Sequence, residues 1–249
     1  MKISSDKHYL ISGVSKGLGH DLALYLLSEG YKVSVLSREQ KTHSSFFTEK
    51  VTKFYLDFDH LSDFAEDRFL EWIRLVGLPS TVVHCAGGGY GLRSPTLKSR
   101  EMSKLFDGNL LGAVAINSLI VPLFQKARSG TVIHVGSTAA TQSIGSVGYN
   151  TVKAGLNASV RSLGNSVVAD NVLVCGINPG AFDATNNAMY RLKNSNSEAY
   201  LEFLERKLPR NRLSSAQEII DVLVFLGDSN NLALAGSMVA VDGGESVAY

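Results

Sequence analysis

Tyr149 and Lys153 stand four residues apart in Tyr149-Asn150-Thr151-Val152-Lys153, a spacing that puts both side chains on one face of a helix. A phenol titrates near ~10 in water and is a poor acid or base at neutral pH. An ammonium one helical turn away favours the phenolate and draws the phenol toward the working range, so the pair suits general acid–base chemistry. Tyr-x-x-x-Lys recurs by chance on ordinary helices; its place after the β-rich run Ile133-His134-Val135-Gly136-Ser137 gives it weight. A second constellation, Ser12-Gly13-Val14-Ser15-Lys16-Gly17-Leu18-Gly19, lies between a β-rich run and a helical pattern. Glycine keeps side chains out of such a turn, and the N-terminus of the following helix offers unpaired N–H groups to a phosphate. The spacing Gly-x-x-x-Gly-x-Gly departs from the Walker pattern, and no Gly-Lys-Ser/Thr follows, which argues against ATP hydrolysis.

Elements must position these residues. Runs rich in Val, Ile and Tyr at 8–12, 32–37, 51–56, 81–85, 131–135, 172–177 and 237–241 read as strands, apolar without clean alternation, as strands covered on both faces are. Between them the spacing is helical. Leu18, Leu22, Tyr25 and Leu26 share a face in the first such segment, which Gly30 ends. Ile219, Leu223 and Leu226 share one later, behind Ser214 or Ser215 as N-cap, with Glu218 set for a capping box. Seven β-α repeats predict an α/β fold with a parallel sheet and helices on both faces, because parallel strands need crossovers. No linker or charge block marks a second domain, so 1–249 reads as one. Residues 186–212 differ in character: they are polar with a short helical pattern, and are expected as a mobile cover above the strands' carboxyl ends, where ligands bind in such sheets.

The chain has 249 residues, 45% hydrophobic and 19% charged, enough for a sizeable core and unlike a disordered chain. With 24 Lys+Arg against 23 Asp+Glu the net charge is +1, which leaves no field for gripping a phosphate backbone and argues against a nucleic-acid partner. Cys85 and Cys175 are too few for a disulfide framework and fit a reducing compartment, each as a small apolar residue in a strand. The start shows no signal-peptide core, and the longest apolar stretch, 110–124, is interrupted by Gly112, Asn117, Ser118 and Pro122, too short and polar for a membrane span. A cytoplasmic protein is expected. The histidines at 8, 20, 43, 60, 84 and 134 show no zinc-ligand spacing, so no metal is expected.

The glycine loop resembles that of the short-chain dehydrogenases/reductases, Thr-Gly-x-x-x-Gly-x-Gly, with Ser12 in place of the threonine. The likeness runs on to Val241-Asp242-Gly243-Gly244 near the C-terminus. It implies a Rossmann-type doubly wound sheet, mainly seven-stranded and parallel, that binds a nicotinamide dinucleotide. By the same resemblance Gly13, Ser15, Lys16, Gly17, Leu18 and Gly19 surround the phosphates, Ala86 and Gly87 pass the adenosine ribose, and Pro179, Gly180 and Thr185 meet the nicotinamide. At the end of the second strand, Ser37 and Arg38 stand where an NAD site usually carries an acid. A guanidinium there pairs with the 2′-phosphate of NADP, Lys16 adds a second cation, and NADP(H) is the expected cofactor. Asp57 caps the adenine amino group with Phe58 along the ring, or else caps the following helix.

The resemblance makes Tyr149 the general acid of hydride transfer to a carbonyl, with Lys153 lowering its pKa and holding the nicotinamide ribose. Ser137 orients the carbonyl, or Thr138 does if the loop is shifted by one; Asn109 helps hold a relay water or is a satisfied structural polar group. His84, in His84-Cys85-Ala86-Gly87, replaces the family's asparagine and reads as a hydrogen-bonded core residue. Arg93, in the glycine-dense loop that follows, binds an anionic group on the substrate or else faces water or a partner subunit. The expected activity is NADPH-dependent reduction of a carbonyl on a small polar or activated substrate, a 3-oxoacyl thioester and a keto-sugar of surface-polysaccharide synthesis being two options. A non-catalytic NADP(H)-sensing protein is the alternative of another class. A homotetramer or homodimer is implied, joined through the helices of Asn109 and Tyr149 and through the C-terminal strand.

Overall fold

The structure, a computed structural model, describes residues 7–37, 51–55, 63–229 and 231–247. The β-rich runs form β1 (His8–Ser12), β2 (Lys32–Ser37), β3 (Val51–Tyr55), β4 (Thr81–His84), β5 (Gly130–Val135) and β6 (Val172–Pro179), then the two-residue β7 (Phe182–Asp183) and β8 (Ser214–Ser215), and finally β9 (Met238–Val241). Each expected strand is present, its ends displaced by two residues at most. The largest difference is at β6, which runs on because Asn178 and Pro179 still find register partners in Ala240 and Val241. Seven strands lie parallel in the order β3-β2-β1-β4-β5-β6-β9, while β7 and β8 pair separately. The chain winds outward from β1 to β3, returns to β4 and winds the other way, so the order reverses between β1 and β4.

The covering helices are α1 (Leu18–Ser28), α2 (Asp63–Val76), α3 (Ser99–Phe106), α4 (Gly112–Ala127), α5 (Val147–Val167), α6 (Ala188–Ser195), α7 (Ser197–Lys207) and α8 (Ala216–Ser229). Successive strand side chains leave opposite faces, and here both faces are buried. Tyr9 and Ile11 of β1 join a core with Leu22 of α1 and Leu223 of α8; Leu10 joins another with Ile73 of α2, Ile120 of α4 and Val160 of α5. The first helix ends as its sequence implies, with Tyr31 N donating to Leu26 O at 2.9 Å across the Gly30 turn. The last opens on Ser215: Glu218 N donates to Ser215 Oγ (3.2 Å) and Ser215 N to Glu218 Oε2 (2.8 Å).

Helices α3 and α4 form one helical run, Ser99–Ala127, broken by a π turn at Asp107–Leu111. By length and composition this run is apolar enough to cross a membrane, longer than the 110–124 stretch suggests. Its side chains Leu105, Ile116, Ile120, Val121 and Phe124 are nevertheless buried inside this fold, against the sheet and its neighbouring helices.

Candidate active site

Ser12 at the end of β1 lies opposite His84 at the end of β4, so the loops leaving both strands open onto one crevice where the strand order reverses. Gly13 has φ +79°, and a Cβ there would overlap the backbone of Ala86. Gly19 packs its α-carbon toward Gly13 O and Cys85, which brings the start of α1 tight against the sheet. The unpaired N-terminal N–H groups of α1 therefore face a loop with no side chains in the way, as a pyrophosphate requires. Gly13, Ser15, Lys16, Ser37, Ala86, Gly87 and Asn109 line a cleft of about 660 Å³ on this side. The residues present thus fit a dinucleotide. Arg38, Asp57 and Phe58 lie outside the described residues.

An adjoining cleft of about 1060 Å³ shares Lys16, Cys85, Gly87, Tyr90 and Val135 with the first. Gly17, Leu18, Ser137, Tyr149, Lys153, Pro179 and Gly180 line it. The loop after β5 delivers Ser137, whose N–H donates to Asn178 Oδ1 at 3.0 Å and whose Oγ accepts from Ala139 N at 3.2 Å. Ser146 caps α5 by accepting from Tyr149 N at 3.4 Å, and the helix then carries Tyr149 and Lys153 one turn apart. Ser137 and Tyr149 line the same cleft. Thr138 lines that cleft too, but is buried and donates to Pro179 O at 3.4 Å.

The electrostatics differ from the sequence expectation. Burial pushes the Tyr149 phenol up, and the Ser137 hydroxyl pulls against it. Lys153 is itself buried and donates to Val135 O at 3.0 Å, with Nζ 5.7 Å from the Tyr149 ring centre. Loss of hydration brings this ammonium down to about 8, Cys85 pulling weakly the other way. The pair is assembled, yet in the protein alone desolvation outweighs the attraction expected to acidify the phenol.

Asn109 sits buried in the π turn: Oδ1 accepts from Gly88 N (2.9 Å), while Nδ2 donates to Gly88 O (3.0 Å) and Leu105 O (2.9 Å). It clamps the glycine-dense loop, and Oδ1 keeps a second lone pair. π turns inside α-helices are frequent at functional sites. Cys85 lies one residue past β4 rather than within it, and burial raises its thiol to about 12. His84 is a core residue as expected: Nε2 donates to Asn117 Oδ1 at 2.9 Å, and Asn117 Nδ2 donates to His134 Nε2 at 3.3 Å, the two rings 4.6 Å apart. Burial lowers His84 to about 4 and keeps His134 neutral as well. Sequence reading missed Asn117 and His134 as partners; the available signal was a polar residue on the buried face of an apolar helix.

On the substrate side, Arg93 lines the second cleft, and Asn186, Asn187, Met189, Arg191 and Phe203 from the 186–212 segment line it too. That segment is α6, α7 and their connections. Thr185 is exposed and joins the site through its backbone: Gly17 N donates to Thr185 O at 2.6 Å, and Thr185 N to Asp21 Oδ2 at 3.0 Å. Thr185 is not among the residues that line either cleft. Arg191, which carries no motif, is also in the lining, as is Glu245, which the sequence suggests only as part of a subunit interface.

Comparisons agree with this geometry. Residues 7–196 match the short chain dehydrogenase family. The chain is 29% identical over 241 residues to the 3-oxoacyl-(acyl-carrier-protein) reductase FabG of Pseudomonas aeruginosa, covering 94% of this chain and 95% of that one. It is 24% identical over 248 residues to the L-xylulose reductase of Caenorhabditis elegans, covering 97% and 96%. Among solved structures, ElxO with NADP bound superposes with a TM-score of 0.83 at 19% identity, covering 96% of this chain and 98% of that one. Levodione reductase does so with 0.84 at 22%, covering all of both chains. With a family match over most of its length, and with the glycine cradle and the Ser–Tyr–Lys group on adjoining clefts, this chain belongs to the short chain dehydrogenases.

Proposed function

We propose that the chain is an NADPH-dependent reductase that acts on the carbonyl of a small polar or activated substrate, with Tyr149 as general acid. One juxtaposition carries the reading: Tyr149, one turn from Lys153, shares a cleft with Ser137 and with Lys16, Gly17 and Leu18 of the phosphate loop. When bound, the reduced nicotinamide supplies the hydride. Gly13, Ser15 and Gly17 hold the pyrophosphate at the start of α1, Ala86 and Gly87 pass the adenosine ribose, and Lys153 holds the other ribose. Lys16, Ser37 and Arg38 take the 2′-phosphate, a preference supported by the NADP in ElxO.

Ser137 holds the substrate oxygen, and Tyr149 Oη releases its proton to that oxygen as negative charge develops there. A phenol that burial keeps protonated is ready for this task in the reducing direction. Lys153 stabilises the phenolate left behind, and Asn109 keeps the Gly88 backbone in place beside it.

The FabG relatives favour a 3-oxoacyl thioester as substrate, while the arginines and asparagines of the cleft favour a polar one such as a keto-sugar. Self-association is part of the proposal: Leu111, Val114 and Val147 expose 47%, 42% and 53% of their surface on the helices of Asn109 and Tyr149. Tyr149→Phe is expected to leave NADPH binding, read by fluorescence, within about twofold and to lower kcat by about 10²- to 10⁴-fold. Turnover within tenfold of wild type overturns the role. NADPH binding by the wild type with no oxidation across a panel of aldehydes and ketones favours the sensing protein instead.

A further inference from the structure

We infer that Glu245 is a specificity-determining residue: its carboxylate accepts a hydrogen bond from a hydroxyl or ammonium group that the substrate carries beside its reactive carbonyl. This rests on the reductase reading and deepens it. Glu245 follows β9 in Asp242-Gly243-Gly244-Glu245-Ser246-Val247 and lines the same cleft as Ser137 and Tyr149.

Its position is built, not incidental. Asp242 folds the segment into a tight turn: Oδ1 accepts from Gly244 N at 2.9 Å, and Oδ2 accepts from Ser246 N at 3.1 Å and from the Ser246 hydroxyl. Val247 N donates to Gln142 Oε1 at 3.3 Å, tying the tail to the loop that runs from Ser137 to α5. The turn delivers Glu245 Oε2 to Ala181 N at 2.5 Å, and a Cβ on Gly180 would overlap that same oxygen. Gly180 thus leaves the room that the carboxylate fills.

A carboxylate is an acceptor only, with about four lone-pair sites. Ala181 N uses one of them on Oε2, and Oε1 has no hydrogen-bond partner among the described residues. A half-buried carboxylate facing a cleft gains from a donor and is costly against an apolar wall. Its pKa reflects this shortage: burial raises it, the Ala181 N–H pulls it back, and nearby Asp242 raises it again. The substrate group that satisfies Oε1 must be a donor, either a hydroxyl or a protonated amine. If Glu245 only capped Ala181, a glutamine would serve equally and substrate choice would not depend on the charge.

The test uses the full chain with NADPH and three ketones of similar size: hydroxyacetone, aminoacetone and butanone. Wild type is expected to show a kcat/KM for at least one of the donor-bearing ketones about 10- to 100-fold above that for butanone, as a hydrogen bond to a charged group implies. The better of the two identifies the donor as hydroxyl or ammonium. E245A brings the ratio to about one. E245Q keeps its oxygen on Ala181 N and turns a donor-only NH2 to the substrate, so it loses an ammonium preference by at least about tenfold and weakens a hydroxyl preference. Should E245A fail to fold, E245D withdraws the carboxylate by one methylene and carries the same readout. A wild-type ratio of one, or a ratio unchanged in E245A or its E245D substitute, overturns the assignment while leaving the reductase reading intact. No NADPH oxidation with any of the three overturns both.

Discussion

On the nucleotide side of the site backbone packs directly on backbone, with Gly13 against Ala86 and Gly19 against Gly13, all within the loops after β1 and β4 and the first turn of α1. On the substrate side the walls are side chains gathered from afar: Arg93, Arg191 and Glu245 come from a loop, a helix and a C-terminal tail more than 50 residues apart in sequence. The contrast separates two kinds of specificity. A surface made of backbone and glycine accepts one ligand shape and tolerates no added atoms; a surface made of long polar side chains can change its ligand by single substitutions without touching the fold.

The most severe break falls on the backbone wall. Gly13→Val places a β-branched residue at φ +79° against Ala86, and NADPH affinity measured by fluorescence titration is expected to fall by more than about 10³-fold, since both the turn and the phosphate approach are lost. Wild-type affinity in that variant would show that the cradle does not depend on glycine. Next comes the charged rim: Arg38→Asp should move the NADP-to-NAD ratio of kcat/KM toward NAD by about 10- to 100-fold, the worth of a charge-assisted contact. An unchanged ratio rejects Arg38 as the 2′-phosphate ligand.

A pH profile sharpens the comparison at the boundary between the two sides. Lys153 falls to about 8 because it is buried, so reduction should lose about fivefold in kcat/KM between pH 8 and pH 9 as the ammonium that stabilises the phenolate is lost. The sign for stability is opposite. The folded protein binds fewer protons than the unfolded chain between about 8 and 10.5, so this group makes stability rise with pH across that window and costs stability below it. A flat activity profile to pH 9.5 would count against Lys153. The smallest effect is expected on the side-chain wall: Arg93→Ala should raise KM for an anionic carbonyl substrate about three- to tenfold while leaving NADPH affinity alone, since the guanidinium is exposed. Equal KM values would turn Arg93 toward solvent or a partner.

The same contrast decides what could be read from the sequence. The strands were legible because each is a short β-branched run bounded by Gly, Pro or polar residues, and the glycine cradle because its steric demands lie within a few residues. The Tyr149–Lys153 pairing needed only helical periodicity. What escaped was set by tertiary contact. Burial inverted the expected direction at Tyr149, the π turn committed the Asn109 amide to Gly88, and Glu245 reaches Ala181 across 64 residues. Local pattern carries no record of such distances.

Asn117 has one more consequence, for assembly. The apolar residues of α4 that meet the sheet, Ile116, Ile120, Val121 and Phe124, are of similar character, so greasy contact alone would accept the helix slid or rolled by a residue. A carboxamide that must give to one imidazole and take from another has only one seat, between β4 and β5. Any other docking strands three polar side chains away from water, so this trio acts as an alignment key for the helix that carries the π turn toward the reacting atoms.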